Sequence, residues 1–122
     1  MAWTLDARIP LTLLADAGAL AAALVAGPPA ALLLEAGTTA PPGAAAAARF
    51  DASLPHAVAC ACCQGRGPVA EALDRLFLAR VRGQVPWFQR VLALVETPAG
   101  RALVEAALGG DAVTAARFRR EG

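Results

Sequence analysis

Apolar residues in this chain gather in short uninterrupted runs, joined by alanine-rich or amphipathic stretches with Gly and Pro at the junctions. Such runs, bounded by turn formers, read as strands buried on both faces. Ile9 to Ala15 is the first, and Pro10 is tolerated there because it stands near the start. Asp16 stops the run and offers an N-cap to a helix over Ala17–Ala26, which Gly27-Pro28-Pro29 ends. Ala30 to Ala36 predicts a second strand, followed by Gly37 and a loop containing Pro41-Pro42-Gly43. Ala44 to Phe50 reads as a short helix, on the propensity of five consecutive alanines that bring little apolar surface with them. Ala57 to Ala61 is expected to be a third strand, with Gly65 and Gly67 allowing a turn after it. The firmest helix starts at Pro68, where proline suits the first helical position, and carries Val69, Leu73, Leu76, Phe77 and Val81 as one stripe until Gly83 and Pro86. Val91 to Val95 is a fourth strand ending at Glu96. A helix is expected from Thr97-Pro98 to about Leu108, closed by Gly109-Gly110. Ala112 to Phe118 is expected to add a last strand.

Strands alternating with helices predict an α/β fold with a mainly parallel sheet of about four or five strands and flanking helices. A chain of 122 residues suits a single domain, expected over residues 1–122, with a core large enough to need no structural metal. In such sheets functional loops follow the carboxyl ends of strands. The net charge is +1, and all 11 basic residues are arginines, grouped only at Arg117, Arg119 and Arg120. That scatter argues against nucleic acid as a partner and makes the tail a solvated end. The uncharged stretch from Ala17 to Leu34 has the length of a membrane span, but Gly27-Pro28-Pro29 interrupts it and alanine dominates it. Asp6 and Asp16 argue against a secretory leader. A cytoplasmic, reducing location with no membrane partner is expected.

The most concentrated chemistry is Cys60-Ala61-Cys62-Cys63, which holds all three cysteines in four positions. Thiols so close and odd in number do not make a disulfide framework. Three uses fit them. As thiolates they suit a soft metal, zinc first, and supply three of the four ligands of a tetrahedral site. As thiols they suit burial as small apolar residues. The Cys60/Cys63 spacing with Arg66 and a helix start nearby suits a redox pair, although Cys62 between them departs from that motif. Convergence of all three needs the strand to end and the chain to turn at the cluster. His56 is a poor fourth ligand, because an extended strand would hold it roughly 13 Å from Cys60 at about 3.3 Å per residue.

Arg8-Ile9-Pro10-Leu11-Thr12-Leu13-Leu14, the cysteine cluster, and Arg90-Val91-Leu92-Ala93-Leu94-Val95-Glu96-Thr97 together resemble successive landmarks of the CobW-type metallochaperone GTPases. That family is a branch of the P-loop NTPases associated with zinc and cobalt handling. Its pattern has an opening I-P-V-T strand, a phosphate loop, a G-C-x-C-C cluster and a strand ending in E-T-T-G. The resemblance implies the N-terminal part of a P-loop NTPase domain, metal bound by Cys60, Cys62 and Cys63, and at Glu96 an acidic residue that assists magnesium and water. The chain departs from the pattern at Ala59 before the cluster, and at Glu96-Thr97-Pro98-Ala99-Gly100, which has one residue more. It departs decisively after the first strand, where Asp16-Ala17-Gly18-Ala19-Leu20 stands in place of the glycine-rich phosphate loop with its lysine and hydroxyl. A carboxylate at that helix start would repel a phosphate.

The expectation is therefore a degenerate, truncated relative that binds a divalent metal, with GTP binding and hydrolysis lost. A client protein that receives the metal, or a second copy of the chain, would complete the site. The alternative is a structural or interaction protein whose cysteines only pack. Read from the residues alone, Glu96 is a helix-capping or surface carboxylate.

Overall fold

The computed structural model describes residues 7–52 and 67–121. Strands β1 (Ile9–Leu14), β2 (Ala30–Glu35), β3 (Ala46–Phe50), β4 (Arg90–Leu94) and β5 (Phe118–Arg120) form a five-stranded sheet in the order β3-β2-β4-β1-β5, with every neighbouring pair parallel. Helices α1 (Ala17–Val25), α2 (Pro68–Val81), α3 (Pro98–Gly110) and α4 (Ala112–Arg117) flank it. The α/β class and the parallel sheet agree with the sequence pattern.

Strand order explains the layering. From β1 to β2 the chain moves toward the β3 edge, whereas from β3 to β4 and from β4 to β5 it moves toward the β5 edge. Right-handed crossovers that run in opposite directions place their helices on opposite faces. Accordingly Leu20 of α1 packs on Ala30, Leu32, Leu34, Leu92 and Leu94, while Val69 and Leu73 of α2 and Val104 of α3 pack on Leu11, Ala31, Leu33, Val91 and Ala93. Every residue of β2 is buried, which is why its sequence shows no alternation. Removing a core side chain here, as in Leu33→Ala, would cost about 2–5 kcal/mol.

Three expectations are corrected. Residues 44–50 do not form a helix: Ala46–Phe50 is strand β3, in register with Ala31–Glu35. Ala48 and Phe50 are buried on one face, so pairing with a buried neighbour strand outweighs alanine's helix propensity. The last strand begins only at Phe118, because residues 112–117 are helical: Asp111 caps α4 by accepting from the backbone N–H of Val113 at 3.1 Å and of Thr114 at 3.0 Å, and Phe118–Arg120 pairs with β1. The arginine tail is not a loose end. Arg117 lies 2.8 Å from Asp74 and over the Phe77 ring, and Arg120 lies 2.7 Å from Glu105. Phe77 in turn meets Phe118 edge-on, with ring centroids 6.2 Å apart. Helix α3 also runs on through Gly110, slightly past the expected end. The strand expected over Ala57–Ala61 lies outside the described residues.

Gly27-Pro28-Pro29 does divide the Ala17–Leu34 stretch, into α1 and β2. Among the described residues no helix is long and apolar enough to cross a membrane.

Candidate functional site

Adjacent strands β1 and β4 send their connections toward opposite edges of the sheet, so the crevice between their carboxyl ends is the topological switch point. Open parallel sheets bind ligands at that place. Here it is bordered by Ala15 and Asp16 after β1, by Val95, Glu96 and Thr97 after β4, and by Glu35 at the end of neighbouring β2.

On the β1 side, Asp16 has the extended backbone of an N-cap, and its carboxylate accepts from the N–H of Ala19 at 2.7 Å. The turn into α1 is short, with β1 ending at Leu14 and α1 beginning at Ala17. It forms no arc of amides around a phosphate, and the helix start already faces a carboxylate.

On the β4 side, Thr97 caps α3 by accepting from the N–H of Gly100 at 3.0 Å. Glu35 completes this corner. Its Oε1 accepts from the N–H of Glu96 at 2.9 Å and of Thr97 at 3.2 Å, while Oε2 accepts from the Thr97 hydroxyl at 2.5 Å. Glu35 is only 7% exposed, so this carboxylate is removed from water and three donors within the loop stand in for its hydration. Gly100 is part of the fit, since a Cβ there would sit 2.8 Å from Val95 Cγ1 and 2.9 Å from the Glu35 carboxyl carbon. Glu96 itself is exposed, and Thr97 rather than Glu96 is the cap. Both helix N-termini at the crevice are thus occupied by side chains of the chain itself, one directly by Asp16 and one by Thr97 backed by Glu35.

The ligands expected from the sequence, Cys60, Cys62 and Cys63, lie outside the described residues, as does His56. Among the described residues no three His, Cys, Asp or Glu side chains come close enough together to hold a metal ion. Asp16, Glu35 and Glu96 therefore do not make such a group. Glu35 escaped the sequence reading. Its one signal was a lone charge closing an otherwise apolar run, Ala30-Ala31-Leu32-Leu33-Leu34, at the carboxyl end of a strand.

The fold and the crevice define an open, doubly wound α/β protein whose two helix starts at the switch point are capped by Asp16 and Thr97. Neither a family model, nor a curated protein, nor a solved structure matches the chain.

Proposed function

We propose that this protein binds a divalent metal, zinc first, through Cys60, Cys62 and Cys63, and that it does so without nucleotide chemistry, as a degenerate counterpart of the CobW-type metallochaperones. The observation that carries this reading is where the cysteine segment is anchored. The described residues that flank it follow β3 on one side and precede α2 on the other, and in a parallel sheet both positions belong to the carboxyl end, where functional loops gather. Capping of α1 by Asp16 supports the second half of the proposal, because the place of the phosphate loop is taken by a short, negatively charged turn. Thiolate ligands call for a reducing compartment, and the cytoplasm supplies one. Three protein thiolates leave one tetrahedral position for water, a second copy of the chain or a client that accepts the metal. No catalytic step is assigned.

The test is zinc binding by untagged protein under reducing conditions. About one zinc per chain, or one per pair of chains, is expected, with proton release on binding and weaker affinity in acid, because the ligands bind as thiolates. Cys62→Ser should weaken binding sharply, whereas His56→Ala should change it little. If zinc fails to bind at high micromolar concentration and the native cysteines resist alkylation, they are packing residues and the proposal is wrong.

A further inference from the structure

We propose that the outer edge of β3 is a docking groove for an extended acidic peptide segment of a partner protein. The groove has a volume of about 740 Å³ and lies between the edge strand and α2. Four consecutive residues of β3, Ala46 to Arg49, line it. Successive strand residues point to opposite faces, so a cavity touching all four must run along the strand's edge rather than over one face. Its opposite wall includes Arg75, Leu76, Ala79 and Arg82, at helical spacings that form one stripe along α2. From Arg75 to Arg82 that stripe rises about 10 Å, at 1.5 Å per residue. The length matches about three residues of an extended chain at 3.3 Å each.

Chemistry selects the occupant. Exposed strand edges are usually guarded by lysine, proline or a bulge, whereas β3, an edge strand among the described residues, carries small side chains at Ala46 and Ala47. Added strands gain main-chain hydrogen bonds from such an edge, with side-chain contacts setting the preference. Here those contacts would be Leu76, Ala79 and Val85 for apolar positions and Arg49, Arg75 and Arg82 for anionic ones. Arg49 donates to the carbonyl of Thr38 at 2.6 Å, and Arg75 to that of Arg49 at 3.2 Å. None of the three has a carboxylate partner among the described residues. Three positive charges that have no carboxylate ion-pair partner among the described residues, around an apolar strip, fit a peptide in which acidic and apolar residues alternate. They oppose a second copy of this chain, whose own edge would bring the same arginines, and so like charge, to the groove.

The experiment titrates the full-length protein with a fluorescent peptide alternating glutamate and valine, with the same peptide carrying glutamine for glutamate, and with a single-stranded oligonucleotide. The acidic peptide should bind in the micromolar range, weaken as salt is raised, and exceed the glutamine peptide by at least about tenfold. Replacing both Arg75→Gln and Arg82→Gln should lower its affinity by about tenfold or more, with the thermal melt unchanged. Backbone N-methylation at alternate peptide positions should abolish binding in one of the two phases, since only one set of N–H groups faces the edge. Equal binding by the glutamine peptide or by the doubly substituted protein would overturn the proposal. So would equal binding by both N-methylated peptides, tighter binding of the oligonucleotide, or a salt-resistant dimer that occupies the edge. These readouts do not involve the cysteines, so they stand or fall separately from zinc binding.

Discussion

Glu35 shows how one residue can hold the corner between β4 and α3 together. Its carboxylate gathers two backbone N–H groups and one hydroxyl at the point where β4 turns into α3. Glu35→Ala would leave those donors without an acceptor beside a buried cavity, and a loss of about 2–4 kcal/mol in unfolding free energy is expected from denaturant titration. Glu35→Gln keeps the shape but lets the amide accept through only one oxygen, so a smaller loss is expected. Gly100→Ala tests the same corner from the other side. With Val95 Cγ1 2.8 Å from the new methyl and Glu35 held by its hydrogen bonds, about 1–3 kcal/mol should be lost although nothing polar has been removed. An unchanged midpoint in either variant would show that the corner relaxes freely.

At the scale of elements, α1 has little packing of its own, since Leu20 is its one buried residue. Its ends are held by polar contacts instead. Asp16 caps the start, while Arg90, the first residue of β4, reaches the last turn and donates to the carbonyls of Ala23 at 2.8 Å and Pro28 at 2.9 Å. A guanidinium there satisfies carbonyls the helix leaves unpaired and opposes the negative end of its dipole. Gly27 gives it passage, because a Cβ at that position would lie 2.9 Å from the guanidinium carbon. Arg90→Leu should therefore cost about 1.5–3 kcal/mol and Asp16→Ala about 1 kcal/mol. Hydrogen exchange should show the added opening confined to α1 in both variants, and a uniform rise in exchange over the sheet would contradict this account. On the opposite face Arg80 stacks over Trp87, 3.5 Å from the ring centroid, and donates to the carbonyl of Phe88 at 2.8 Å. Burial lowers its pKa from the usual arginine value, yet guanidinium groups keep their proton in proteins. That clamp should be insensitive to pH.

For the molecule as a whole, the two capped helix starts at the switch point predict that neither GTP nor ATP with magnesium binds measurably by titration calorimetry; micromolar affinity would mean that another part of the chain supplies a phosphate cradle. The same topology shows what could be read in the residues. β1, β2 and β4 were legible because a strand buried on both faces must be apolar throughout, and the Asp16 cap was legible because its partner, Ala19, is three residues away. α2 declared itself by the spacing of its buried stripe. β3 did not, because alanine suits either structure and only the presence of β2 beside it settles the choice. The Glu35 corner, the Arg90 clamp and the arginine-lined groove were also beyond the sequence, since they join residues 61, 67 and 26 positions apart respectively. The chain by itself determined its class, its buried strands and the Asp16 cap of α1, all of which depend on neighbours along the backbone. Which polar groups meet at the crevice, and which strand forms the edge of the described sheet, were decided by strand order, because that order brings together residues whose local patterns carry no record of one another.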